Sequence, residues 1–206
     1  MKKKSHSNTD VILVIDRSGS MQSIKIAMES AIKEFFNSQR DLPGRCTVSA
    51  LLFDDTFSWE VKNRDISDIG GLIIEPRNMT ALYDAIGQAI AYGDESAYKN
   101  KTDKTIVVII TDGLENASKK YNVGGIKELI TAKQSVGWKF MFFGSNQDAV
   151  LSAKTIGIDL NDVLTYRAND KGTRFIGGIM GQSVSAYRSG EGYIMSATDR
   201  KNAMGE

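Results

Sequence analysis

The stretch Val11-Ile12-Leu13-Val14-Ile15-Asp16-Arg17-Ser18-Gly19-Ser20 governs how the rest of this chain is read. Five apolar residues in a row, mostly β-branched, make a strand buried on both faces, as inside a parallel sheet. The run stops on a carboxylate, and two hydroxyls follow on alternate residues. Gly19 between them lets the backbone turn tightly without a Cβ clash. Ile106-Val107-Val108-Ile109-Ile110 repeats the pattern and leads through Thr111 to Asp112 and Gly113. A third run, Trp138 to Phe143, ends at Gly144, and a short fourth, Val163 to Tyr166, belongs toward the sheet edge.

Between these runs the apolar spacing changes to the helical period. Ile24, Ala27, Met28, Ala31, Ile32, Phe35 and Phe36 fall on one face, and Pro43-Gly44 marks the turn beyond. Leu82, Ala85, Ile86, Ala89 and Ile90 form a second such face. Weaker ones follow around Ile126 to Lys133 and Ala149 to Ile156. The last, Phe175 to Tyr187, contains Gly177, Gly178 and Gly181, which suggest a close approach of helix to sheet. Thr47 to Phe53, then Asp54-Asp55, then Thr56 to Val61 reads instead as two strands joined by a tight turn.

The order β-α-β-β-α-β-α-β-α-β-α predicts an α/β fold. It is a doubly wound, mostly parallel central sheet with one antiparallel edge strand and helices on both faces, Rossmann-like in its winding. Residues 1–8 are expected as a basic leader, 9–188 as the domain, and 189–206, polar and glycine-containing, as a C-terminal tail or linker. In such sheets ligands bind beyond the carboxyl ends of the strands, where Asp16 and Asp112 stand.

Charge gives no partner away. The 26 basic and 25 acidic residues nearly cancel, so nothing argues for nucleic acid or an anionic membrane. The single cysteine, Cys46, excludes an internal disulfide and a multi-cysteine zinc site, and reads as a buried small apolar residue. The apolar run after Lys2-Lys3-Lys4 is too short for a signal peptide, and no stretch is long enough to span a bilayer. A reducing, cytoplasmic location is the expectation.

Three short elements carry the chemistry: Asp16-Arg17-Ser18-Gly19-Ser20; Thr80 in Asn78-Met79-Thr80-Ala81-Leu82; and Thr111-Asp112-Gly113. Each has a structural explanation, because Ser, Thr and Asp also cap helices and make turns. Their oxygens are hard donors, which suit Mg²⁺ or Mn²⁺ better than zinc or copper. Glu115 and Asn116 read as loop residues near the site rim, Gly144 to Asp148 as a turn before the next helix, and Asp54-Asp55 as the hairpin turn. His6, the only histidine, has no assigned role.

The conjunction resembles the metal-ion-dependent adhesion site of von Willebrand factor A domains: Asp-x-Ser-x-Ser, then a Thr, then an Asp. Asp16, Ser18, Ser20, Thr80 and Asp112 match it in order, over roughly residues 8–188. The chain is most similar to short intracellular bacterial or phage-encoded members, including those of tellurite-resistance clusters. The resemblance implies one Mg²⁺, with Mn²⁺ or Ca²⁺ as alternatives, bound directly by Ser18 and Ser20. Thr80 would bind it directly or through water, and Asp16 and Asp112 largely through water or hydroxyl contacts. It also implies a protein partner whose Asp or Glu carboxylate fills an open position. No nucleophile–base pair is visible, so no catalysis is expected. The alternatives are a Mg²⁺-dependent phosphatase or phosphotransferase using Asp16, and a structural component of a phage or bacterial assembly. Haloacid-dehalogenase-like phosphatases place an Asp where Ser18 stands, and a P-loop is absent.

Overall fold

The expected apolar runs become neighbouring strands of one sheet. In the computed structural model, which describes residues 7–145 and 148–206, β1 (Thr9–Asp16) pairs in parallel with β2 (Cys46–Phe53) and β4 (Lys104–Thr111). Beyond β4 come β5 (Lys139–Gly144) and the short β6 (Val163–Thr165), both parallel. β3 (Phe57–Asp65) pairs antiparallel with β2, as the hairpin pattern predicts, and the order across the sheet is β3-β2-β1-β4-β5-β6. The β2–β3 register shifts between Val48 and Ala50, and Asn63 there adopts φ 47.

Side-chain alternation sends the two sets of strand residues to opposite layers. Val11, Leu13 and Ile15 pack with α1 (Lys25–Arg40) and α5 (Asp170–Ser189), while Ile12 and Val14 pack with α2 (Leu82–Asn100) and α3 (Val123–Ser135). Ala153 and Ile156 bring α4 (Asp148–Thr155) to the second layer. The sequence reverses direction between β1 and β4: from β1 the chain winds outward through β2 and β3, then crosses to β4. That switch point is where a crevice opens beyond the strand ends. Among the described residues no helix is long and apolar enough to cross a membrane.

Three expectations are corrected. The segment after residue 188 is not a plain tail: α6 (Ala197–Met204) lies there, and its Ala203 and the preceding Met195 are buried in the first core layer. Ser196 and Asp199 form a reciprocal capping box at its start, Ala203 O accepts from Arg167 N at 2.9 Å, and Arg200 reaches Val163 O at 2.7 Å. The α5 glycines serve a helix–helix contact rather than a helix–sheet one. A Cβ on Gly177 would stand 2.6 Å from Ala31 O of α1, and one on Gly181 would stand 2.5 Å from Ser38 Oγ. Finally, Thr80 does not cap α2; Ala81 holds that position. The leader's first six residues, with His6, and Asn146-Gln147 lie outside the described residues.

Backbone cannot yield where α1 and α5 touch, so Gly177→Val is expected to cost about 1–3 kcal/mol through overpacking. Gly178→Ala, facing only the Glu34 side chain at 3.5 Å, should be near neutral; the two melting temperatures compared with the parent check this.

Candidate metal centre

Strand pairing alone places two of the five candidate residues side by side. Ile15 pairs with Ile110, so Asp16 and the Thr111-Asp112 step emerge at the same end of neighbouring strands. Asp16 is fully buried. Its Oδ1 accepts from Ser18 N at 2.6 Å and its Oδ2 from Thr111 Oγ1 at 2.6 Å. The first bond folds the chain back tightly after β1; the second ties β1 to β4.

The hydroxyls of Ser18 and Ser20 lie 3.2 Å apart, and Ser20 Oγ donates to Asp112 Oδ1 at 2.5 Å. Ser18 stands at the start of a 3-10 turn, Gly19–Ser23, with extended backbone, yet its side chain makes no capping bond. The capping explanation for this serine therefore fails, and its hydroxyl faces the other candidate oxygens instead. Thr80 arrives from the loop before α2. Its N–H donates to Asn116 Oδ1 at 2.8 Å and its carbonyl accepts from Asn116 N at 3.0 Å, so the main chain alone holds it in place. Gly113 shows how closely the set converges: a Cβ there would lie 3.0 Å from Thr80 Oγ1, 3.6 Å from Asp16 Oδ2 and 3.7 Å from Ser18 Oγ. The structure thus gathers all five residues at one end of the sheet.

The donor set is two carboxylates and three hydroxyls, all oxygen, which fits a hard divalent ion and does not suit a soft one. Among the described residues no group of three or more His, Cys, Asp or Glu side chains is clustered to hold a metal. An ion here would rest on hydroxyls as much as on carboxylates. Burial pushes the Asp16 carboxyl up to about 6; hydrogen bonds from Thr111 and Ser18 oppose the rise, and the nearby Asp112 charge adds to it. Burial also raises Asp112, against the Ser20 bond. Two acids that resist ionising at close quarters are what a cation would relieve.

Several supporting residues escaped the sequence reading. Asp54 does make the hairpin turn, accepting from Thr56 N and Oγ1 at 2.7 and 2.6 Å. It is also fully buried, and its Oδ2 accepts from Arg17 Nε at 3.0 Å and Arg77 Nε at 2.7 Å. Burial would raise its carboxyl, but the bonds from Thr56 and Arg77 and the charge of Arg17 prevail and hold it at about 2. Main-chain bonds follow the same path: Arg77 N to Arg17 O, Gly19 N to Asn78 O and Ala81 N to Asp54 O. Glu115 and Asn116, expected as plain loop residues, are struts. Glu115 accepts from Tyr83 N at 2.9 Å, and Ser118 Oγ accepts from Asp84 N at 3.1 Å. These bonds satisfy the first N–H groups of α2, which frees Thr80 from capping. Asp84 in turn accepts from the amides of Lys119, Lys120 and Tyr121. Ser145, from the stretch after β5, donates to Asp112 O at 3.1 Å.

With this geometry in view, comparison with known proteins is informative. The family model described as von Willebrand factor type A domain matches residues 10–176, and the chain belongs to that family. Comparison with curated proteins gave no significant match. Among solved structures, the chain is similar to proximal thread matrix protein 1 from the mussel byssus with a zinc-occupied MIDAS motif, at TM-score 0.62 and 16% identity over 89% of this chain and 46% of that one. The manganese-loaded TRAP protein of Plasmodium vivax aligns at TM-score 0.58 and 12% identity, covering 79% and 70%. The pilus adhesin SpaC of Lactobacillus rhamnosus GG, in an open conformation, aligns at 0.69 and 11%, covering 88% and 30%. The chain thus spans about half or less of the mussel and pilus proteins. At these identities the likeness is one of fold.

Gly113→Ala is expected to weaken divalent-ion binding at least ~10-fold, about 1.4 kcal/mol, because its methyl group would press on Thr80 Oγ1 at 3.0 Å and take up space beside Asp16 Oδ2 and Ser18 Oγ. The metal-free melting temperature should stay close to that of the parent. Calorimetric titration with Mg²⁺ and Mn²⁺ beside a thermal melt separates the two effects.

Proposed function

We propose that this chain is a metal-dependent protein-interaction module, in which Asp16, Ser18, Ser20, Thr80 and Asp112 hold one divalent cation that captures an Asp or Glu carboxylate of a protein partner. The observation that carries this reading is the convergence of three neutral hydroxyls and two carboxylates on the space in front of Gly113. Neutral hydroxyls offset little of a dication's charge, so an ion held mainly by them stays attractive to an outside anion. Oxygen donors favour Mg²⁺ in a cell, with Mn²⁺ or Ca²⁺ as substitutes. Two structures similar in fold, one with a zinc-occupied MIDAS motif and one loaded with manganese, support a divalent ion in general terms.

The residues divide the work. Thr111 and the Ser18 amide orient Asp16, whose two oxygens both face protein donors. Ser20 and Asp112 stand nearer solvent, with Ser20 exposed, and this is the side from which a partner would approach. The same burial argues against the phosphotransferase alternative, because an Asp16 carboxylate with no solvent exposure and both oxygens engaged is poorly placed to attack phosphorus. We therefore assign no catalysis. We place the protein in a reducing, cytoplasmic setting, where Cys46, its thiol pushed by burial to about 11, stays inert.

Two outcomes follow. Because Asp16 carries a proton below about 6 in the metal-free chain, Mg²⁺ affinity should fall roughly tenfold for each pH unit below that value. The sign for stability is opposite in the absence of metal. A carboxyl raised above its unfolded value makes the folded chain lose stability as pH rises from about 4 to about 6, and added Mg²⁺ should reverse that loss; melts across pH with and without the ion read both. For the partner, retention in a pull-down should disappear with EDTA and with Asp112→Ala, and return when Mg²⁺ is restored to the parent chain. Partners that persist through chelation and through the variant, or metal-dependent phosphatase turnover lost in Asp16→Asn, would overturn the assignment.

A further inference from the structure

Two bulky apolar side chains stand beside the candidate centre. Met79 directly precedes Thr80 and is 54% exposed, and Leu114 directly follows Gly113 and is 47% exposed. Their loops touch. A Cβ on Gly113 would lie 3.0 Å from Thr80 Oγ1, and Asn116, two residues beyond Leu114, bonds both main-chain groups of Thr80. Neither side chain belongs to the buried core on either face of the sheet. Each projects from a main chain that is already pinned, so it offers apolar surface without a loop having to order first.

Isolated apolar residues on a surface are ordinary. These two differ in what surrounds them. Within two positions of Asp16, Ser18, Ser20, Thr80 or Asp112, the one further charge is Arg17, which is buried and held by Asp54 and Ser58. Next outward, Arg77 is bonded to Asp54, and Glu115 to the amides of Tyr83, Ala117 and Ser118. The other exposed neighbours are Gly19, Gln22 and Asn78, all uncharged. A basic rim would favour a run of acids in the partner. A neutral rim with two apolar side chains favours one acid between apolar neighbours. Apolar cover over the contact also sheds water, which strengthens a bond between cation and carboxylate.

We infer that Met79 and Leu114 select the partner: the carboxylate taken by the cation belongs to an Asp or Glu flanked by bulky apolar side chains, which pack on these two residues. This rests on the cation–carboxylate reading given above. The unbranched thioether of Met79 adapts to the shape it meets, so the selection is for apolar bulk rather than for one residue type.

The test uses the full chain with Mg²⁺ and three capped tripeptides: acetyl-Leu-Asp-Leu-amide, acetyl-Ser-Asp-Ser-amide and acetyl-Leu-Asn-Leu-amide. In NMR titrations the Gly113 amide reports affinity in every variant, and the Met79 methyl reports contact with the apolar side chains of the peptide. Leu-Asp-Leu should shift both signals and bind at least ~5-fold more tightly than Ser-Asp-Ser. EDTA should abolish both interactions, and Leu-Asn-Leu should not bind. Met79→Gln and Leu114→Gln together should cut the preference for Leu-Asp-Leu to below ~2-fold, with the Mg²⁺ affinity and the melting temperature unchanged. Val136→Gln, at an exposed position before the start of β5, should leave the preference intact. The two ways of failing differ. If neither aspartyl peptide binds in a Mg²⁺-dependent way, or Leu-Asn-Leu binds as well as Leu-Asp-Leu, the carboxylate reading falls and this inference with it. If the two aspartyl peptides bind alike, or the preference survives the double variant, the apolar selection alone is overturned and the carboxylate reading stands.

Discussion

The candidate centre depends on a buried charge that is not part of it. Asp54, at the β2–β3 turn, joins Arg17 of the loop after β1 to Arg77 of the loop before α2. Three irregular segments that share no ladder are thereby fixed relative to one another, and main-chain bonds along the same path complete the joint. A buried ion pair is weak evidence of net stability, since desolvation offsets much of the attraction. Its value here is positional. Loops carry few contacts of their own, and this joint ties the loop of Ser18 to the loop of Thr80, beside the bonds that Asn116 makes to Thr80 and Asp16 makes to Ser18.

Electrostatics then sets the centre in tension. Asp54, surrounded by donors and cations, ionises readily, whereas Asp16 and Asp112 are buried with few compensating charges. The protein has placed its arginines one loop away from the acids that need a counter-charge. Asp54 is satisfied internally, and under the proposed function the other pair is left to an external cation, whose binding would then depend on ion concentration and proton activity.

Much of this was legible in the sequence, for physical reasons that differ by element. β1 and β4 announce themselves because a strand covered on both faces must be apolar throughout, and few helices match such a short β-branched run. The five candidate oxygens were legible only together, since each residue alone passes for a cap or turn. The rest depended on contacts between distant segments. Nothing local in Asp54 reveals that Arg77 will reach it, and nothing in Asn116 reveals that it pairs with both main-chain groups of Thr80. The C-terminal helix is a different case: α6 buries little beyond Ala203, so periodicity is silent, yet Ser196-Ala197-Thr198-Asp199 carries the capping-box pattern that would have located its start.

The irregularity at Asn63 bears on how such a domain behaves at high concentration. β3 is a sheet edge with open main-chain groups along one side, a shape that invites another chain to zip on. Here the strand carries Glu60, Lys62 and Arg64 and is kinked where Asn63 turns left-handed and the register slips. A bent, charge-studded border makes a poor template for an added strand. The bend and the charges thus act against pairing of this edge with a strand of another chain.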